Sequence, residues 1–111
     1  MFESALAFRI AQGQQDEVRI ARWCVAKAQR HLGKVEEALT AQMAILKQIE
    51  ESGAEPDGFV FEEIAECLLA QGHSDEARSF CRRAHDCLSS DPYLVANESE
   101  RLERLRRLGS E

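Results

Sequence analysis

Cys81, His85 and Cys87 lie within seven residues of one another, and His85 follows Cys81 by one helical turn, the spacing at which two side chains share a face. Thiolate and imidazole are zinc ligands. A structural zinc site, however, takes four ligands and usually draws two from a Cys-x-x-Cys pair. The four cysteines, Cys24, Cys67, Cys81 and Cys87, contain no such pair. No Gly-rich phosphate loop, Gly-x-Ser-x-Gly elbow or His-Glu-x-x-His pair occurs either. The sequence therefore predicts no catalytic residue, no metal site and no cofactor, and the chain is not expected to be an enzyme. Each cysteine has apolar neighbours in a helical pattern, where a free thiol acts as a small hydrophobe, and a reducing cytoplasm is the expected location.

The remaining chemistry is charge. Of the 111 residues, 14 are Lys or Arg and 20 are Asp or Glu, a net charge of −6, which disfavours nucleic acid and anionic membranes as partners. Arg101, Arg104, Arg106 and Arg107 form a basic cluster near the end, but the interleaved Glu98, Glu100 and Glu103 predict pairing within one helix. The charge is uneven. Residues 1–34 hold 6 basic and 3 acidic side chains, residues 35–77 hold 1 and 11, and residues 78–111 hold 7 and 6. The acidic middle favours a partner with a basic segment. The longest run without a charge, Ala38 to Leu46, is far too short for a membrane span. The N-terminus has neither the basic flank nor the apolar run of a secretion signal.

Apolar residues recur at helical spacing throughout, so the expected fold class is all-α. A first helix is expected over Phe2 to Ala11, broken at Gln12-Gly13-Gln14-Gln15, with Asp16 capping the next. In that second helix Val18, Ala21, Val25, Ala28 and Leu32 form the face expected to be buried, and Gly33 ends it. Val35 to Ile49 continues the pattern up to the loop Ser52 to Gly58. Phe61, Ile64, Ala65 and Leu68 then sustain a helix to Gly72, and Ala77, Phe80, Cys81, Ala84 and Leu88 stripe the following one. Pro92 restarts the chain at a first helical position. Asn97 and Glu100 have the spacing of a capping box, and Leu102, Leu105 and Leu108 line a last helix ending at Gly109.

Three segments resemble each other: Phe2-Glu3-Ser4-Ala5-Leu6, Val35-Glu36-Glu37-Ala38-Leu39 and Ser74-Asp75-Glu76-Ala77-Arg78, spaced 33 and 39 residues apart. The last two follow a glycine turn, Gly33 or Gly72, so the repeating unit is a helical hairpin. These residues resemble the tetratricopeptide repeat (TPR) family. Phe61 stands at its large aromatic position, Ile64 and Ala65 at its Leu-Gly, Leu68 at its tyrosine, Gly72 at its turn, and Ala77, Cys81 and Ala84 along its second helix. The earlier copy has Val25, Ala26, Gly33 and Ala38 in place but Arg22, Gln29 and Ile45 where an aromatic, a tyrosine and an alanine are usual. The long spacing across Glu50 to Gly58 also looks like the extended repeats of kinesin light chains.

The resemblance implies a single domain over 1–111, a right-handed solenoid of helical hairpins. It comprises an unpaired half-repeat helix at 2–11, repeats at 16–52 and 57–89, and a C-terminal capping helix at 91–108. It also implies a non-catalytic protein-interaction module that docks a peptide or partner helix in a concave groove. The groove positions would be Ile20, Trp23, Lys27 and Arg30, with His31 beside them, facing Phe59, Glu62, Glu66 and Leu69. The competing expectation is that Lys27 and Glu66, or Arg30 and Glu66, simply neutralise each other across the repeat interface. The family's carboxylate clamp needs asparagines, and none precedes Asn97. A second functional expectation is self-association, with the apolar edge Phe2, Leu6, Phe8 and Ile10 completing the array in a homodimer.

Overall fold

The computed structural model describes the backbone of residues 2–110 and the side chains of residues 17–110. Among these residues there are six helices and no strand: α1 (Phe2–His31), α2 (Val35–Ser52), α3 (Gly58–Ala70), α4 (Ser74–Leu88), α5 (Pro92–Asn97) and α6 (Ser99–Ser110). None is long and apolar enough to cross a membrane. α1 packs on α2, α2 on α3 and α3 on α4, and α6 then returns onto α4.

Local chemistry sets the boundaries. Gly33, Gly53 and Gly72 adopt left-handed φ values of 87°, 71° and 81°, where a side chain would be strained, and each closes a helix. The α1–α2 and α3–α4 turns repeat each other bond for bond. Lys34 N–H donates to Gln29 O at 2.9 Å and His73 N–H to Leu68 O at 2.8 Å, while Gly33 N–H reaches Arg30 O at 3.0 Å and Gly72 N–H reaches Leu69 O at 3.1 Å. Asp57 and Asp91 cap α3 and α5 by accepting from the backbone N–H two residues on, both at 2.9 Å. Pro92 sits in the first turn of α5, as expected.

α3 is the central element. Val60, Phe61, Ile64, Ala65, Cys67 and Leu68 are all buried, and the core continues through Ile45 and Ile49 of α2, Ala77, Cys81 and Ala84 of α4, and Leu102 and Leu105 of α6. Of the residues named above for the later repeat copy, Phe61, Ile64, Ala65, Leu68, Ala77, Cys81 and Ala84 are thus core, and Gly72 stands exposed at the turn. α6 lies close enough to α4 that a Cβ on Gly109 would stand 3.0 Å from the Arg82 backbone nitrogen, and Arg82 donates to Gly109 O at 3.0 Å. Gly109 is therefore a point of close approach inside α6, not its end.

Four expectations need correcting. α1 is one helix of 30 residues, so the break at Gln12–Gln15 and the Asp16 cap do not occur and 2–11 is no separate half-repeat. A lone glycine costs a helix only about 1 kcal/mol relative to alanine, and the flanking Ala11, Gln12, Gln14 and Gln15 are tolerant of helix. The stripe Val18, Ala21, Val25, Ala28 and Leu32 is exposed, not buried, because α2 and α3 pack on the other side of α1, around Trp23 and Ala26. Asn97 caps nothing. It ends α5, and its side-chain amide donates back to Tyr93 O at 3.0 Å. Cys24, unlike the other thiols, is exposed. The side chains of Phe2, Leu6, Phe8 and Ile10, the edge expected to self-associate, lie outside the described residues.

Candidate functional site

Ile20, Trp23, Lys27 and Arg30 recur at intervals of three and four and share one face of α1. Antiparallel α2 holds this face against α3. Gln42 of α2 is buried and donates to Trp23 O at 3.3 Å, while the Trp23 indole N–H donates to Phe59 O at 3.2 Å. The Trp23 and Phe59 rings meet edge to face, with centroids 6.1 Å apart. Lys27 Nζ stands 5.0 Å from the Trp23 ring and the Arg101 guanidinium 5.3 Å from the Phe59 ring. Both aromatic faces thus carry a cation.

Around the two rings lies a small, mainly apolar notch of about 230 Å³, lined by Arg19, Ile20, Trp23, Asp57 and Phe59. Ile20 is 59% exposed at its rim. The Asp57 carboxylate is held by its cap bond to Phe59 N–H, which fixes the start of α3 against α1.

Beyond the notch runs a row of carboxylates, Glu62, Glu63 and Glu66 of α3, between arginines on both sides. Arg30 of α1 donates to Glu63 through Nε at 2.7 Å and Nη2 at 3.1 Å, and its Nη1 lies 3.9 Å from Glu66. From the other side Arg101 of α6 holds Glu62 through two bonds, one of them 2.7 Å, and Glu98 at 2.7 Å. Arg104 pairs with Glu66. Bidentate pairing of this kind fixes geometry as well as charge. Hydrogen bonding to Glu63 raises the Arg30 pKa above its already high ordinary value, and Glu62 does the same for Arg101.

The structure thus brings Ile20, Trp23, Lys27, Arg30, Phe59, Glu62 and Glu66 to one α1–α3–α6 surface. Leu69 is half-buried and packs against the core, and His31 is exposed at the end of α1. The expected basic and acidic walls are present but satisfied within the chain. Arg30 neutralises Glu63 and Glu66, and Glu62 is 7% exposed. Arg101 and Arg104 do not stop at intrahelical pairs, as their neighbours had suggested, but cross to α3; Arg106 does pair within α6, with Glu103 at 2.9 Å. Sequence reasoning missed Glu63, Arg101, Arg104 and Asp57. The one signal for them was the two-sided register of Glu62-Glu63 and Glu66 on α3, which offers carboxylates to two neighbouring helices at once. Compared with known proteins, the chain matches no family model, no curated protein and no solved structure at significant similarity.

Proposed function

We propose that the chain is a non-catalytic protein-interaction module of the tetratricopeptide-like kind, receiving a peptide or a partner helix along the α1–α3 surface. The observation that carries this reading is the notch at Ile20, Trp23 and Phe59, where two aromatic rings stand half-buried with an exposed aliphatic side chain beside them. Aromatic side chains in a preformed recess are the usual energetic centres of protein interfaces. The two matching glycine turns, 39 residues apart, and the succession of hairpins support the repeat reading.

The arginine-clamped carboxylate row fixes the spacing of α1, α3 and α6. Because Glu62 and Glu63 are already buried and paired, the partner's contribution at the notch is apolar or aromatic, and any basic segment it carries meets Asp57 at the mouth. Selection of peptides from a displayed random library against the whole chain tests this. Selected peptides are expected to carry an aromatic or branched apolar residue. They should lose about 10-fold or more in affinity against Ile20→Glu, about 1.4 kcal/mol, and bind Tyr93→Glu unchanged. Equal binding to Ile20→Glu would refute the notch as the docking point.

A further inference from the structure

Val18, Ala21, Val25, Ala28 and Leu32 form an apolar stripe along α1, on the side opposite Trp23. Val18, Val25 and Leu32 are 48%, 60% and 75% exposed. Thirty-nine residues later, the positions matching Ala21, Val25 and Ala28 are Val60, Ile64 and Cys67, which are 0% exposed on a helix that packs against α2. α1 therefore has the pattern of a helix that receives a neighbour, on a side where the described chain supplies none. Ala41 and Ala44 of α2 extend the surface, and a groove of about 520 Å³ runs between the two helices.

We propose that this edge is the two-fold interface of a homodimer, with α1 of each copy lying antiparallel along α1 and the α1–α2 groove of the other. The stripe is complementary to itself. Its larger residues, Val18, Val25 and Leu32, repeat every seven positions, and its small ones, Ala21 and Ala28, repeat at the same interval between them. Antiparallel pairing sets large against small in each layer, whereas parallel pairing stacks valine on valine and alanine on alanine.

Charge agrees with this arrangement. Of the α1 cations, Arg22 borders the stripe and lines the groove, while α2 carries four carboxylates and one lysine. A helix α1 laid in the other copy's groove therefore meets an α2 of opposite sign. The far end of the array is closed, since Leu102 and Leu105 of α6 are buried and Gly109 abuts the Arg82 backbone. Copies cannot add head to tail onto that face, and a closed dimer is the symmetric outcome rather than a filament. The interface is independent of the notch, which faces the other way.

Sedimentation equilibrium of the whole chain at concentrations up to roughly 100 µM tests it. The expected mass is twice the 12.5 kDa of the chain for the natural protein and for Ile20→Glu on the notch side. Val25→Glu and Ala28→Glu, both at exposed positions, should halve the mass and leave the far-ultraviolet dichroism helical. A natural chain that stays at 12.5 kDa overturns the proposal and leaves the stripe to a helix of another protein. A dimer that survives both substitutions also overturns it, and moves self-association to another surface.

Discussion

The Arg30 guanidinium of α1 grips the Glu63 carboxylate of α3 through two hydrogen bonds, at 2.7 and 3.1 Å, across 33 residues of sequence. The Glu63 side chain is 3% exposed and that of Arg30 18%. Removing one partner of a buried pair leaves an unpaired charge at a cost of about 3–5 kcal/mol, while replacing both with apolar groups is often neutral. Arg30→Ala should therefore lower unfolding free energy in urea by about 3 kcal/mol. Glu63→Ala should cost less, because Glu66 remains 3.9 Å from Arg30. Arg30→Met combined with Glu63→Leu should recover most of the loss.

Gln42 is fully buried, and its amide nitrogen reaches Trp23 O, but its Oε1 accepts no hydrogen bond. A buried acceptor without a partner costs roughly 1–3 kcal/mol. Gln42→Leu, which keeps the volume and removes the polar atoms, should raise stability by about 1 kcal/mol, measured as a shift of the urea midpoint at unchanged slope.

Gly58 opens α3 against the end of α4, where an added Cβ would lie 2.7 Å from Leu88 Cγ and 2.8 Å from Cys87 Cβ. Neither atom is the free end of a flexible side chain, so the α3–α4 contact must open. Gly58→Ala should cost about 1–3 kcal/mol by overpacking, despite alanine's better helix propensity, and thermal melting of the variant will read it out.

The four thiols should separate in reactivity. Cys24 is exposed, Cys87 is half-buried, and Cys67 and Cys81 are buried. Burial pushes the Cys67 thiol up to about 11 and raises Cys81 and Cys87 as well. A disulfide reagent at neutral pH should modify Cys24 first and the two buried thiols only on unfolding. The same shifts set a pH dependence. Near pH 9 the unfolded thiols ionise while the folded ones stay protonated, so the folded state binds more protons. Their stabilisation is full below pH 9 and is lost as pH rises toward 11. The melting temperature should fall across that window, and Cys67→Ala should flatten the fall.

How far these features were legible depends on what decides each one. Gly33, Gly53, Gly72 and Pro92 mark helix ends through backbone geometry alone, so the sequence places those ends directly. Gly13 has the same composition signal, but a glycine is a helix end only if the next residues leave the helix, and Ala11, Gln12, Gln14 and Gln15 do not force that. α3 is identifiable because its apolar residues nearly encircle it. The stripe on α1 is visible as a pattern, yet periodicity shows that a face is apolar and not which neighbour covers it, so Val25 is expected in the core and stands exposed. The pairing of Arg101 and Arg104 with Glu62 and Glu66 depends on α6 folding back beside α3, across 39 and 38 residues respectively, which neighbour spacing within α6 does not encode.

The proposed entry of a partner at the notch of Ile20, Trp23 and Phe59 can be followed at a single atom. Trp23 is the chain's one tryptophan, so its indole N–H gives a single, assignable signal in a nitrogen–proton correlation spectrum. Titrating a selected peptide into labelled protein should shift that signal together with the amides of Ile20, Asp57 and Phe59, and leave Tyr93 and Val95 on α5 unmoved. Shifts confined to α4, α5 and α6, with the Trp23 indole unmoved at saturation, would contradict it.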